Sequence, residues 1–221
     1  MTTRETGDRA GFLARIGRAT ANAPADQLRP VAPLPADGVP RVAYTGEPDF
    51  AAAVAALGGV ARELDDADAF VAFVNDAVVA ARAGGSRVRV AMTDDPECAA
   101  VAYALGGRRD VEVVAYTDAA AVATVDIGFT GARAAVARTG SIVVDAARAG
   151  GRTVSLLPPM HVAIVRRDAI VAEPHDHWRS LGAPMPSNLV QITGPSRSAD
   201  IELVITLGVH GPRALWVGII A

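Results

Sequence analysis

From Arg41 onward, apolar runs of four or five residues alternate with longer segments whose apolar positions recur every three or four residues. These are the periods of buried strands and of amphipathic helices. Arg41 to Tyr44 reads as a strand, Pro48 to Leu57 as a helix with proline in its first turn, and Val60 to Leu64 as a strand. Asp65, Asp66 or Asp68 can cap the next helix, where Phe70, Val71, Val74, Val78 and Ala81 make an apolar stripe that stops at Gly84 and Gly85. Val88 to Met92 is a strand, Asp95 and Pro96 open a helix that Gly106 and Gly107 end, and Val111 to Ala115 is again a strand. The βαβ rhythm predicts an α/β fold with a mostly parallel, doubly wound sheet.

After Thr117 the texture changes to closely spaced strand candidates: Val125 to Phe129, Ala134 to Val136, Ser141 to Val144, Thr153 to Leu157, Val162 to Val165, Leu189 to Ile192 and Leu215 to Ile220. Asp168 to Leu181 has room for short helices, and Asp200 to Leu207 fits a strand or a helix. This half predicts antiparallel additions to the sheet. At the other end, Asp8 to Thr20 sets Phe12, Leu13 and Ile16 on one helical face, and Pro24, Pro30, Pro33, Pro35 and Pro40 then break the pattern. The expected division is an N-terminal helical arm with a Pro-rich tether over 1–40 and an α/β domain over 41–221. The arm's apolar face can dock on the chain's own domain, on a second copy as a homodimer contact, or on another protein, with the first two favoured because exposed Phe and Leu seldom stay uncovered.

Composition narrows the function classes. With 51% hydrophobic and 20% charged residues in 221, the chain has ample core and is not of a disordered type. No apolar run approaches the roughly 20 residues of a membrane span, and Met1 to Arg9 is too polar for a secretory signal, so a cytoplasmic protein is expected. The formal net charge of −3 argues against nucleic acid as a partner. All 21 cationic side chains are arginine, which excludes a Schiff-base lysine, a phosphate-loop lysine and a lysine general base. Cys98 is the only cysteine. An iron–sulfur cluster needs several thiolates, so this chain alone cannot hold one, and no cofactor is expected in it. No Gly-x-Gly-x-x-Gly fingerprint for a dinucleotide is present.

The densest chemistry lies between the last two apolar runs, in Gly194-Pro195-Ser196-Arg197-Ser198-Ala199-Asp200-Ile201-Glu202 and Gly208-Val209-His210-Gly211-Pro212. The glycines permit sharp turns or close approach to a ligand, and the prolines stiffen the loops. Ser196, Arg197, Asp200 and His210 supply hydroxyl, cation, anion and imidazole, the makings of an anion cradle with an acid/base group beside it. Thr139-Gly140-Ser141 and Thr130-Gly131-Ala132 place hydroxyls and loop amides beside strands, where carboxylate or phosphate oxygens bind well. His161 heads a strand, and His175-Asp176-His177 is too weakly spaced for a metal site, so none is expected.

The two C-terminal segments resemble the LUD (lactate utilisation) domain family, which carries Gly-Pro-Ser-Arg-Thr/Ser-Ala-Asp-Ile-Glu followed by Gly-Val-His-Gly-Pro. Thr139, Gly140 and Ser141 match the family's Glu-Thr-Gly-Thr/Ser, with Arg138 standing where the acid is usual, and Pro158-Pro159-Met160-His161 is also similar. The resemblance implies a three-layer α/β/α sandwich similar to the sugar-phosphate isomerase and CoA-transferase group. It also implies a subunit or accessory role in oxidation of L-lactate to pyruvate, beside iron–sulfur partner proteins of a lactate-oxidising assembly. The expected ligand-binding residues for a small carboxylate or other anion are Thr139, Gly140, Ser141, His161, Gly194, Ser196 and Arg197. The expected catalytic residues are His210, Asp200 and Glu202. Two other readings stay open: a stand-alone enzyme acting on a sugar phosphate or acyl-CoA, with His210 or Asp200 as base and Arg197 as anion clamp, and a non-catalytic carboxylate-sensing module.

Overall fold

In the computed structural model the described residues are 11, 14, 18, 47–82, 87–147, 151–181, 186–199 and 205–221, and every element below belongs to the unit Gly46–Ala221. The expected Arg41 to Tyr44 strand lies outside the described residues, as does the N-terminal arm apart from Gly11, Ala14 and Arg18, which are helical.

Among the described residues, six parallel strands form the central sheet. Their order across it is β1 (Val60–Leu64), β12 (Ala214–Ile220), β7 (Met160–Arg166), β4 (Ile127–Ala132), β2 (Val88–Met92) and β3 (Val111–Val114). Strand side chains alternate between faces, and here both faces are covered. Leu64, Val88, Val90, Ile127, Phe129, Met160, Val162 and Ile164 pack on one face against α2 (Ala67–Ala81) and α3 (Pro96–Leu105). Ala132, Ala163, Val165, Leu215, Val217 and Ile219 pack on the other face, with Phe50 and Val54 of α1 (Phe50–Ala56) and with a smaller sheet. Farther along that second face, Ala91 meets Val122 of α4 (Ala119–Val122) and Val154 of α5 (Thr153–Leu156). Burial on both sides explains why the central strands read as continuous apolar runs.

The smaller sheet has the order β8 (Ile170–Val171), β5 (Ala134–Val136), β6 (Ser141–Asp145) and β9 (Leu189–Thr193); β6 is antiparallel to both of its neighbours. A separate antiparallel pair joins β10 (Arg197–Ala199) to β11 (Ile205–Leu207). The last described helix is α6 (Pro174–Ser180). The expected α/β architecture, a mostly parallel sheet with helices on both sides and antiparallel additions, is therefore present.

Several local expectations change. The first helix starts at Phe50, because Asp49 accepts the Ala52 amide at 3.0 Å and caps it, leaving Pro48 outside. Asp66 is the cap of α2, accepting from the Ala69 amide at 2.7 Å. Thr153 to Leu157, expected as a strand, forms the short helix α5. Its apolar residues satisfy either period, and the Val154 carbonyl rests where a Gly128 side chain would stand, so close backbone packing selects the helix. Thr130-Gly131-Ala132, expected as a loop beside a strand, is the buried second half of β4.

Candidate functional site at the two edges of the sheet

Because all six strands run the same way, the central sheet has an amino edge and a carboxyl edge. In open α/β sheets, ligands bind outside the carboxyl ends of the strands. The sequence-predicted residues and the buried charges divide between these edges.

The C-terminal motifs gather at the amino edge around the end of α1. Gly194 has φ +75°, and a side chain there would meet Leu57 at 2.9 Å. The Arg197 guanidinium donates to the Leu57 carbonyl at 2.5 Å. The Ser196 amide donates to the Pro212 carbonyl at 2.8 Å, and the Gly208 amide to the Ser196 carbonyl at 3.0 Å, tying the β10–β11 pair to the segment that feeds β12. His210 is exposed in that segment. Asp200 and Glu202, the other two expected catalytic residues, lie outside the described residues.

The Thr139-Gly140-Ser141 turn reaches the same helix. Gly140 is left-handed at φ +59°, and a Cβ there would sit 2.7 Å from the Ala53 carbonyl carbon and 2.8 Å from the Val54 nitrogen. Ser141 Oγ is shared by Thr139 Oγ1 at 2.7 Å, Thr193 Oγ1 at 2.8 Å and the Gln191 amide at 3.3 Å. Arg138 pairs with Glu173 at 2.9 Å, so this cation meets a carboxylate from the head of α6. Six of the predicted residues, Thr139, Gly140, Ser141, Gly194, Ser196 and Arg197, thus lie in loops and strand ends that close on α1 or on one another.

His161 is apart from them, inside the sheet. It is fully buried on β7, and its Nε2 lies 2.9 Å from Thr130 Oγ1 on β4. Nδ1 has no hydrogen-bond partner among the described residues. Burial pushes its pKa down to about 4, so the ring is neutral at pH 7. A neutral imidazole sealed in this way holds two strands together and is poised to accept a proton only where solvent can reach it.

The carboxyl edge carries buried acids that sequence reasoning missed. Asp95 is 6% exposed; its Oδ2 accepts from Thr93 Oγ1 at 2.6 Å and from the Gly131 amide at 3.1 Å, joining the ends of β2 and β4. Gly131 is required here, since a Cβ would come 2.7 Å from both Asp95 Cβ and Glu97 Oε2. One residue beyond β4, Arg133 donates to Asp145 at 3.0 Å, and Asp145 is itself 6% exposed. Cys98 sits under this cluster, 3.6 Å from Thr93 Oγ1, with its pKa raised to about 11 by burial. Asp95 was legible only as a helix start, and it makes no capping bond. The signal that points to it is an acid held against the interior immediately after a central strand. Among the described residues, no group of three or more His, Cys, Asp or Glu side chains is disposed to hold a metal ion. His175, for its part, pairs with Asp176 at the surface, at 3.3 Å.

A family model described as the LUD domain matches residues 104–220, just over half of the chain. Lactate utilization protein C of Halalkalibacterium halodurans is 39% identical over 99 residues, covering 42% of this chain and 43% of that protein. The protein of the same name from Bacillus subtilis is 40% identical over 93 residues, 39% of either chain. An uncharacterized protein of Neisseria meningitidis serogroup B is 37% identical over 96 residues, covering 42% of this chain and 41% of its own. The match therefore spans about two fifths of the length of these curated relatives. A crystal structure of a DUF162 family protein from Deinococcus radiodurans superposes with a TM-score of 0.52 at 21% identity, covering 78% of this chain and 94% of the other. That likeness is one of fold.

Proposed function

The chain belongs to the LUD domain family, and from that membership we propose that it serves L-lactate utilisation as a subunit of a lactate-oxidising assembly whose redox centres lie in iron–sulfur partners. The observation that carries the reading is the 39–40% identity to proteins named lactate utilization protein C, over a segment of more than ninety residues. The chain's own chemistry is in keeping with a non-redox subunit. Its one cysteine is 1% exposed beneath the Asp95 cluster, and a thiol held up near 11 is not a thiolate ligand at neutral pH. The work left to this chain is to bind a small carboxylate in loops at the strand ends and to present it. Arg197, His210 and the Thr139 to Ser141 turn are the residues of that site in this reading, and the buried acids of the carboxyl edge hold the opposite end of the sheet rigid.

Affinity capture of the tagged full chain from its own cells grown on L-lactate tests the proposal. Co-elution of iron–sulfur proteins with lactate-oxidising activity is expected. A chain that elutes alone and colourless, with no such activity in the eluate, refutes it.

A further inference from the structure

A cleft opens beside the carboxyl edge, in a place that the C-terminal motifs do not reach. It has a volume of about 470 Å³ and lies between the end of β4, the turn before β8 and helix α6, with Arg133, Ala134, Asp168, Val171, His177 and Ser180 along its walls. That volume falls in the range of roughly 300 to 1,000 Å³ typical of small-molecule sites.

Its polar groups have an uneven charge balance. Arg133 engages Asp145 through one terminal nitrogen, at 3.0 Å, and no other side-chain hydrogen bond to its guanidinium occurs among the described residues. The rest of the fork is available to an anion, which is the group its planar geometry suits. Asp168, the acid on the rim, is already neutralised by two bonds from Arg166, at 3.1 and 3.0 Å. On the helix side, His177 is 2% exposed, and its Nε2 has no hydrogen-bond partner among the described residues. A buried polar nitrogen left in that state is costly, and such groups normally mark a missing partner. The ring packs beside Trp178, with centroids 5.4 Å apart, and the Ser180 hydroxyl donates to the His177 backbone carbonyl at 2.7 Å. Burial and the nearby Arg133 both push the His177 pKa down, so at neutral pH the imidazole offers one N–H donor and no charge.

We propose that this cleft is a binding site for a small organic carboxylate, held by the guanidinium of Arg133 and by a hydrogen bond from the imidazole of His177. The carboxylate takes the remaining guanidinium nitrogens of Arg133 while Asp145 keeps Nη1, and the Ser180 hydroxyl is placed to meet a second polar group on the ligand. An approaching anion also stabilises the protonated imidazole, so uptake of the ligand draws the His177 pKa back up. The charged and titratable groups around the ring are Arg133, with its partner Asp145, and Asp168 across the cleft, Arg166 behind Asp168, and, on the ring's own helix, Glu173 paired with Arg138, Asp176 paired with His175, and Arg179. The site stands on this geometry and not on the role in lactate utilisation, so the capture experiment and the one below fail independently.

The test is titration of the full chain with pyruvate, and separately with inorganic phosphate, followed by calorimetry and by the histidine ring signals in NMR. Saturable binding of pyruvate that shifts the His177 signals and leaves those of His161 in place is expected. Arg133→Gln should weaken it about tenfold or more, the equivalent of one charge-assisted hydrogen bond. Because that change strips Asp145 of its partner, the neutral pair Arg133→Gln with Asp145→Asn is the variant that keeps the fold, and it should lose binding equally. His177→Leu should weaken binding and remove its pH dependence, and His177→Gln, which restores a donor, should recover most of the affinity. No saturable pyruvate binding at millimolar concentrations, binding unchanged in the double variant, or binding of phosphate in place of pyruvate would each overturn the assignment.

Discussion

Replacing Gly140 by alanine tests whether the Thr139 to Ser141 turn is clamped on α1, because two separable costs meet at that position. The first is conformational: φ is +59°, and an L-residue pays about 1–2 kcal/mol in the left-handed region. A stiffer unfolded chain returns about 0.4–1 kcal/mol of this. The second is steric: the new methyl would lie 2.7 Å from the Ala53 carbonyl carbon, 2.8 Å from the Val54 nitrogen and 3.0 Å from the Ala53 oxygen. These are backbone atoms of a helix whose Val54 is fully buried, so they cannot swing aside as a flexible side chain would. Overpacking of this type adds about 1–3 kcal/mol. Gly107 supplies the control, since it has φ +77° and a methyl placed on it would meet no atom within 4 Å. Gly107→Ala should therefore lose at most about 1–2 kcal/mol, and Gly140→Ala about 1–3 kcal/mol more. The assay is urea unfolding followed by far-ultraviolet circular dichroism on both variants and the parent. If the two alanine variants lose the same stability within about 0.5 kcal/mol, a margin typical of surface substitutions, α1 does not pack on the turn and the reasoning fails.

Three further outcomes can be checked. His161 titrates near 6.5 when unfolded and at about 4 when folded, so the unfolded state takes up the proton first and stability falls as pH drops from 6.5 towards 4; about 2 kcal/mol should be lost by pH 5 relative to pH 7.5, and urea midpoints at the two pH values for the parent and for His161→Gln will show whether that slope belongs to this residue. Arg138→Glu faces Glu173 at a half-buried site and should cost about 1–3 kcal/mol, whereas Arg138→Glu with Glu173→Arg should recover most of it; equal thermal midpoints for the single and double variants would count against the pair. Cys98, with its thiol raised to about 11 and 1% exposed, should resist a disulfide reagent at pH 8 in the native chain and react fully in urea, and rapid native labelling would mean that the carboxyl-edge cluster is open.

The fold is readable where one period dominates a segment. Val60 to Leu64, Val88 to Met92 and the Pro96 helix appear within a residue of their expected bounds, because apolar alternation and the Asp, Pro and Gly signals at their ends agree. Thr153 to Leu157 misleads because its three apolar residues, Val154, Leu156 and Leu157, satisfy either period, and the decision belongs to the packing of the Val154 carbonyl against Gly128. Thr130-Gly131-Ala132 looks like a turn for the opposite reason. Glycine and threonine are turn residues in isolation, yet Gly131 is small so that Asp95 can reach its amide, and Thr130 is polar so that it can meet His161. Both requirements come from strands far away in sequence.

The same contrast separates the two edges of the sheet. At the amino edge, the dense motifs announce themselves as strings of Gly, Pro, Ser, Arg and His, and the structure spends much of that chemistry on backbone: Arg197 on the Leu57 carbonyl, the Ser196 amide on Pro212, Gly194 on the flank of Leu57. At the carboxyl edge, Asp95, Arg133, Asp145 and His177 are scattered over eighty residues of sequence as single unremarkable letters. Asp95 reaches the Gly131 amide because β2 and β4 are neighbours, and the antiparallel strands carry Asp145 back to Arg133 at the end of β4. A buried acid bonded to the start of a loop and an arginine half-committed to another acid are features of strand order, which no local pattern encodes. Motif density along a chain therefore marks where the backbone needs unusual residues, and ligand chemistry is to be sought equally where the topology brings isolated charges to the ends of parallel strands.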